Sequence, residues 1–318
     1  MRQKTLIQLS NHLFGLIFGQ AIGDALGLAS EFMTREEVLQ HYPNGINSYD
    51  DIINDRHRSI WQKGAWTDDT DQMLCILDSI VKHRAINLID IAERFVNWKK
   101  TNGRGIGRHT LNVLSIGDYT QDPFKVSELV WTMSRKQSAA NGAIMRTSIL
   151  GAWDYSNWEN VEKNTEIVCK LTHYDPRCVG SCVVITYLIH CYLIDKAISK
   201  NELIDIGNKY DKRIAEYIEL AFQNDIEQLK LDELGKLGYT LKTMSAALWA
   251  FNHAADFQSG LKRIIEQGGD ADTNGAVAGA LLGLKLGLDR IPKDLVDSLV
   301  GREELIKKSE LFIESLTL

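Results

Sequence analysis

Apolar residues recur at three- and four-residue spacing along most of the chain, with polar residues between them. Met73, Leu74, Leu77, Ile80 and Val81 form one such face, and Ile89, Ile91, Ala92, Phe95 and Val96 form the next. The stretches 179–194 and 203–222 carry the same pattern. This is the period of amphipathic helices, and the alternation of half-buried strands is nearly absent. Pro43, Pro123, Pro176 and Pro292 each fall where a helical pattern stops or starts. The pattern predicts an all-α protein of about a dozen helices joined by short loops. No linker-like stretch interrupts it, so residues 1–318 read as a single domain. The most charged part, 201–236, reads as an outer helix pair.

Two predicted helices break the ordinary pattern. Gly15, Gly19, Gly23 and Gly27 recur every fourth residue, and so do Gly275, Gly279, Gly283 and Gly287. Four residues advance roughly 400° around an α-helix, so each set makes a continuous stripe without side chains. Each helical glycine costs about 0.8–1 kcal/mol relative to alanine, so close backbone approach must be what is gained. A transmembrane reading fails, because Gln20, Asp24 and Lys285 interrupt spans that are too short or too polar. The two helices are expected to be central and closely packed, bringing the starts of the helices after Thr67 and Gly269 near Glu31.

With 44% hydrophobic and 25% charged residues the composition is that of a globular protein. A net charge of -6 argues against a nucleic-acid-binding surface. The five cysteines, Cys75, Cys169, Cys178, Cys182 and Cys191, form no CxxC pair, and a reducing cytoplasm is the expected compartment. Arg2 and Lys4 precede an apolar stretch, but Gln8, Asn11, His12, Gln20 and Asp24 interrupt it, which argues against a secretory leader.

Two short acidic runs open helices far apart in the chain, Thr67-Asp68-Asp69-Thr70-Asp71 and Gly268-Gly269-Asp270-Ala271-Asp272-Thr273-Asn274. Either run alone reads first as helix capping, since Asp and Thr are favoured at N-caps and in first turns. A cap needs one oxygen, whereas together these junctions offer four carboxylates and two hydroxyls. Such oxygen donors suit Mg²⁺ or Mn²⁺. The histidines and cysteines lack zinc spacing.

The segments GQAIGDALGLASEF, WTDDTDQML, SAANGAIMRT, THYDPRCVGS and GGDADTNGAVAGALLG, in that order, resemble the ADP-ribosylglycohydrolases. The resemblance runs from about Leu13 to Gly287. It implies a compact orthogonal multi-helix fold with a binuclear Mg²⁺ or Mn²⁺ centre on the floor of an ADP-ribose cleft. Position by position, it makes Thr67, Asp68, Asp69, Asp270, Asp272 and Thr273 metal ligands. Glu31 matches a catalytic glutamate that approaches the metals and the ribose, and Asp69, Asp270 and Asp272 are further candidates to accept the water proton. Asn141, Gly142 and Met145 match a loop that holds the diphosphate and distal ribose. His173 matches a histidine near the diphosphate, and Tyr239 an adenosine-side position. The implied activity is release of ADP-ribose from an ADP-ribosylated protein or small substrate, arginine being the acceptor most often met in the family. A monomer is the default expectation.

There are departures from the pattern. Many members have glycine where this chain has Ala139 or Ala140. Nitrogenase-type members place an acid in the loop corresponding to 102–110, which here reads NGRGIGRHT. Glu31 or a metal ligand would have to replace it. Asp24 reads as a cap or as a bond to a ligand rather than as a ligand itself. Arg146 reads either as a diphosphate contact or as a buried ion pair, and Arg135, Lys136 and Arg177 are weaker candidates for the diphosphate. His12, His41, His57, His83, His190 and His253 show no ligand spacing and read as ordinary, while His109 is open between the two readings. Two other functions remain: an inert, crystallin-like ADP-ribose binder, and a binuclear phosphohydrolase acting on a nucleotide diphosphate.

Overall fold

Glycine faces glycine at the centre of the protein. The computed structural model describes residues 5–316, and among these it forms sixteen α-helices and no strand. They are α1 (Leu6–Gly27), α2 (Arg35–His41), α3 (Asp68–His83), α4 (Leu88–Thr101), α5 (Arg108–Leu114), α6 (Pro123–Met133), α7 (Ser148–Ala152) and α8 (Trp158–Lys170). The rest are α9 (Pro176–Leu193), α10 (Lys200–Asn208), α11 (Arg213–Ala221), α12 (Thr240–His253), α13 (Phe257–Ile265), α14 (Ala271–Leu286), α15 (Lys293–Asp297) and α16 (Arg302–Leu316). The excess over the expected dozen consists of helices such as α7 and α15, too short to show a period.

α1 and α14 run antiparallel and share the largest helix–helix interface. Gly15 meets Gly283, Gly19 meets Gly279, Gly23 meets Gly275, and Gly27 meets Ala271 and Asp272. A Cβ on any of these glycines would collide with the backbone of the opposite helix. Around this pair, α12 and α13 pack on α14, and α9 packs on α7, α8, α10 and α12. α9 is long and apolar enough to cross a membrane, yet 89% of it is buried inside the protein, which accounts for its composition. The charged segment forms α10 and α11, which pack on each other and bury Leu203, Ile206, Ile214 and Ile218.

Local signals set the helix ends. Asp122 and Asp175 cap α6 and α9, each followed by proline in the first turn, where its missing N–H costs nothing. Capping boxes open α1, α2 and α10 through Thr5, Thr34 and Ser199. The antiparallel glycine pair brings the end of α1 to the start of α14, and that meeting positions the site.

Candidate active site

The first acidic run opens α3 with Thr67 at the N-cap, but the Thr67 side chain caps nothing in its own helix. Asp24 of α1 does that work from outside. Its Oδ1 accepts from the Thr67 N–H at 2.9 Å and hydroxyl at 2.8 Å; its Oδ2 accepts from the Thr70 N–H at 3.0 Å and hydroxyl at 2.6 Å. With both oxygens doubly bonded, Asp24 anchors α3 and has little capacity left for a cation. Asp68 and Asp69 are thereby free of capping duty and turn toward the space beyond the end of α1. Asp71 points away, holding the Trp66 indole at 2.8 Å, the Trp98 indole at 2.9 Å and the Asn102 amide at 2.6 Å.

The second run is presented by Gly268 and Gly269, both at positive φ (72° and 71°), which glycine adopts without strain. Reciprocal backbone bonds tie this turn to the segment after α1: Phe32 N–H to Gly269 O at 2.6 Å, and Gly269 N–H to Met33 O at 2.7 Å. Glu31 is thus held beside Asp270. Asp270 is the N-cap of α14 yet makes no capping bond. Its Oδ2 instead accepts from the Asn141 amide at 2.7 Å.

The runs meet. Carboxylate oxygens of Glu31, Asp270 and Asp272 lie within 4.8 Å of one another, as do those of Asp24, Asp69 and Asp272. Asp272 is common to both groups. Thr67 Oγ1 lies 3.2 Å from Asp69 Oδ2. Burial and mutual repulsion hold the carboxyls of Asp68, Asp69 and Asp272 well above the usual carboxylate range. Burial lifts Asp270 to about 6 against its bond from Asn141, and Asp24 to about 7 against its four hydrogen bonds.

The cluster fits a hard divalent cation. The donor set is entirely oxygen, no Lys or Arg side chain neutralises it among the described residues, and Asp69 Oδ1 is buried without a hydrogen-bond partner. The first turns of α3 and α14 add partial positive charge, too little for four carboxylates. Asp68, Asp69, Asp270 and Asp272, with Thr67 and Thr273 beside them, are the residues that would hold such ions.

The acids floor a cleft of about 1060 Å³, large enough for a nucleotide-sized ligand. Asn141, Gly142, Met145 and His173 line its wall. Asn141 sits in a hydrogen-bonded chain: its amide also reaches Thr243 Oγ1 at 3.0 Å, whose hydroxyl donates to Asn274 at 2.9 Å. The 102–110 loop arches over the acids, with Gly105 (φ 83°) against Asp68 Oδ1, where a side chain would not fit. Tyr239 lies elsewhere. It faces an adjoining hollow of about 550 Å³ with Tyr217 and Arg177, behind the wall formed by Ala140, Leu237 and Gly238. The isolated bridge between Ala140 and Tyr239 builds that wall.

Several readings of single residues need correction. His57 is not ordinary: its Nε2 lies 2.6 Å from Glu31 Oε2, and its ring packs between Phe32 and Trp61. The bond to Glu31 raises its pKa. No spacing signal marks it, because the 43–63 loop folds back over the end of α1. Arg146 neither reaches the cleft nor forms an ion pair among the described residues. It is fully buried over the Phe95 ring, bonded to Gln72 and Thr172. Arg177 does form a buried ion pair, with Asp175 at 2.8 Å. Arg135 and Lys136 do not line the cleft. His109 does, and is held neutral by burial.

This geometry agrees with comparisons to known proteins. The family model described as ADP-ribosylglycohydrolase matches residues 6–317. The chain belongs to the ADP-ribosylglycohydrolase family, a family of hydrolases. It is 25% identical to the ADP-ribosylarginine hydrolase Tri1 of Serratia proteamaculans, over 93% of this chain and 77% of the relative. It is 26% identical to the ADP-ribosyl-[dinitrogen reductase] glycohydrolase of Rhodospirillum rubrum, over 90% and 89%. A solved ADP-ribosylglycohydrolase-related protein complex superimposes with a TM-score of 0.77 at 26% identity, covering 98% of this chain and 99% of that one.

Proposed function

We propose that the protein is a divalent-metal-dependent hydrolase that releases ADP-ribose from ADP-ribosylated arginine on protein. The observation that carries this reading is the convergence of Asp69 and Asp272, from opposite ends of the chain, within one buried carboxylate group at the floor of a nucleotide-sized cleft. The arginine acceptor rests on the activity named for the Serratia relative, an ADP-ribosylarginine hydrolase. Five free cysteines, four of them buried, are in keeping with a reducing cytoplasm.

Cleavage of an anomeric C–N bond passes through an oxocarbenium-like state with water attacking the anomeric carbon. Two divalent ions, Mg²⁺ or Mn²⁺, held by Asp68, Asp69, Asp270 and Asp272 with Thr67 and Thr273, would supply Lewis acidity and chelation of sugar hydroxyls. Glu31 lines the cleft beside Asp270 and Asp272 and accepts the proton of the attacking water. His57, hydrogen-bonded to Glu31 through Nε2, fixes its carboxylate. Asn141 and Gly142 set the wall against which the diphosphate lies, and His173 faces it. Sites on the helices are rigid; the choice of acceptor falls to the 43–63 and 102–110 loops.

The test is product analysis with an ADP-ribosylarginine peptide and Mg²⁺. Free ADP-ribose is expected, and Glu31→Gln abolishes its release. AMP with ribose phosphate would replace this reading with a phosphohydrolase, and binding without turnover would replace it with an inert member of the family.

A further inference from the structure

Arg146 is a buried cation with no carboxylate partner among the described residues, and its polar bonds lead to two places. Nη1 donates to Gln72 Oε1 at 2.5 Å, and the Gln72 amide donates to Asp68 Oδ2 at 3.1 Å. Nη2 donates to Thr172 Oγ1 at 2.5 Å, and Thr172 Oγ1 lies 2.7 Å from His173 Nδ1. Burying a guanidinium without a counter-ion is costly, so a sequence that keeps one there gains something specific from it.

The hydrogens on the second path can be assigned. A guanidinium only donates, so Thr172 Oγ1 must accept from Arg146. The Thr172 hydroxyl hydrogen then has one acceptor within bonding distance, His173 Nδ1. Nδ1 therefore carries the lone pair and Nε2 carries the hydrogen. His173 Nε2 is buried and has no partner, and its edge of the ring faces Gly142 across the cleft wall. His109 is fixed in the same manner: its Nε2 donates to the Thr172 carbonyl at 2.9 Å and its Nδ1 accepts from the Ser138 hydroxyl at 2.9 Å. The rings lie 4.6 Å apart.

We propose that Arg146 is a positioning residue: through Thr172 it locks His173 in the neutral tautomer whose Nε2–H is offered to anionic oxygens of the ligand in the cleft. Burial keeps the ring neutral, and the nearby His109 and Arg146 act in the same direction. A neutral ring without this relay would divide between two tautomers, one of which turns a lone pair toward the ligand and repels it. Gly142 serves the same end, since a side chain there would cover the Nε2 edge. The proposal rests on the reading of the cleft as an ADP-ribosyl site.

The experiment uses full-length protein labelled with ¹⁵N-histidine, with His173 assigned by the loss of its signals in His173→Gln. In the wild type, long-range ¹H–¹⁵N correlations are expected to show unprotonated Nδ1 and protonated Nε2; the reverse pattern overturns the proposal. Thr172→Val and Arg146→Met, where folded, should give a tautomer mixture and weaken ADP-ribose binding about tenfold, the effect of one lost hydrogen bond. Thr172→Ser, which keeps the hydroxyl, should keep the tautomer. Folded variants with the wild-type tautomer and affinity overturn the proposal. The expected tautomer in a wild type that does not bind ADP-ribose would support the relay and overturn the functional reading instead.

Discussion

Asp24 binds Thr67 twice, through its backbone N–H and its hydroxyl, and so fastens the glycine-striped α1 to the junction that carries Asp68 and Asp69. The same carboxylate binds Thr70 twice. Asp24→Asn replaces one acceptor oxygen with an amide that faces donors. Loss of about 1–3 kcal/mol of stability is expected from the unsatisfied buried groups. Divalent-cation occupancy should fall as well, although Asp24 is not counted among the ligands. Thermal unfolding and elemental analysis of the variant check both outcomes, and unchanged occupancy would show that the anchor is dispensable.

The glycine stripes make a second prediction, far from the chemistry. In Gly279→Ala the new methyl would meet the Gly19 carbonyl. Alanine's better helix propensity, worth about 0.8–1 kcal/mol, is outweighed by overpacking of about 1–3 kcal/mol or more. A lower melting temperature is expected. A higher one would mean that the helices are not held this close.

The metal-free protein should lose stability as pH rises. Asp68, Asp69 and Asp272 are raised well above the ordinary carboxylate range, Asp270 to about 6 and Asp24 to about 7. Above about pH 4 the unfolded chain has released these protons while the folded protein still holds them. Stability is therefore fully present below that pH and is lost as pH rises through the folded-state values. A divalent cation binds the charged form and should reverse the trend near neutrality. Melting curves between pH 4 and 8, with chelator and with Mg²⁺, read this directly; parallel curves would contradict it.

His57→Phe keeps the ring's place between Phe32 and Trp61 but removes the bond to Glu31 Oε2. Losing a charge-assisted bond that fixes a catalytic carboxylate should lower kcat about ten- to a hundredfold. Melting temperature should change little, because a third of the His57 side chain (34%) is exposed and phenylalanine keeps its ring contacts. Equal kcat in the variant would return His57 to the role of packing.

What the sequence reveals depends on how local each signal is. The stripes of Gly15–Gly27 and Gly275–Gly287 and the acid runs at Thr67 and Asp270 carry their meaning within a few residues, so both the central helix pair and the acid cluster are legible. His57 and Arg146 have no such local mark. Each acquires its role from one partner brought by the fold, Glu31 in one case and Thr172 in the other. A lone arginine in SAANGAIMRT reads as a phosphate contact or a buried ion pair until its burial against Phe95, bonded to Gln72 and Thr172, is known. Tyr239 shows how little a motif says of a ring's direction: it lines a hollow that adjoins the cleft and shares Ala140, Leu237 and Gly238 with it.

The central claim is tested most directly by Mn²⁺ anomalous scattering from crystals of the protein. Two peaks are expected among Asp68, Asp69, Asp270 and Asp272, and in Asp272→Asn both should weaken or vanish together with ADP-ribose release. A map without manganese at these carboxylates, from protein that still releases ADP-ribose after exhaustive chelation, would contradict the account.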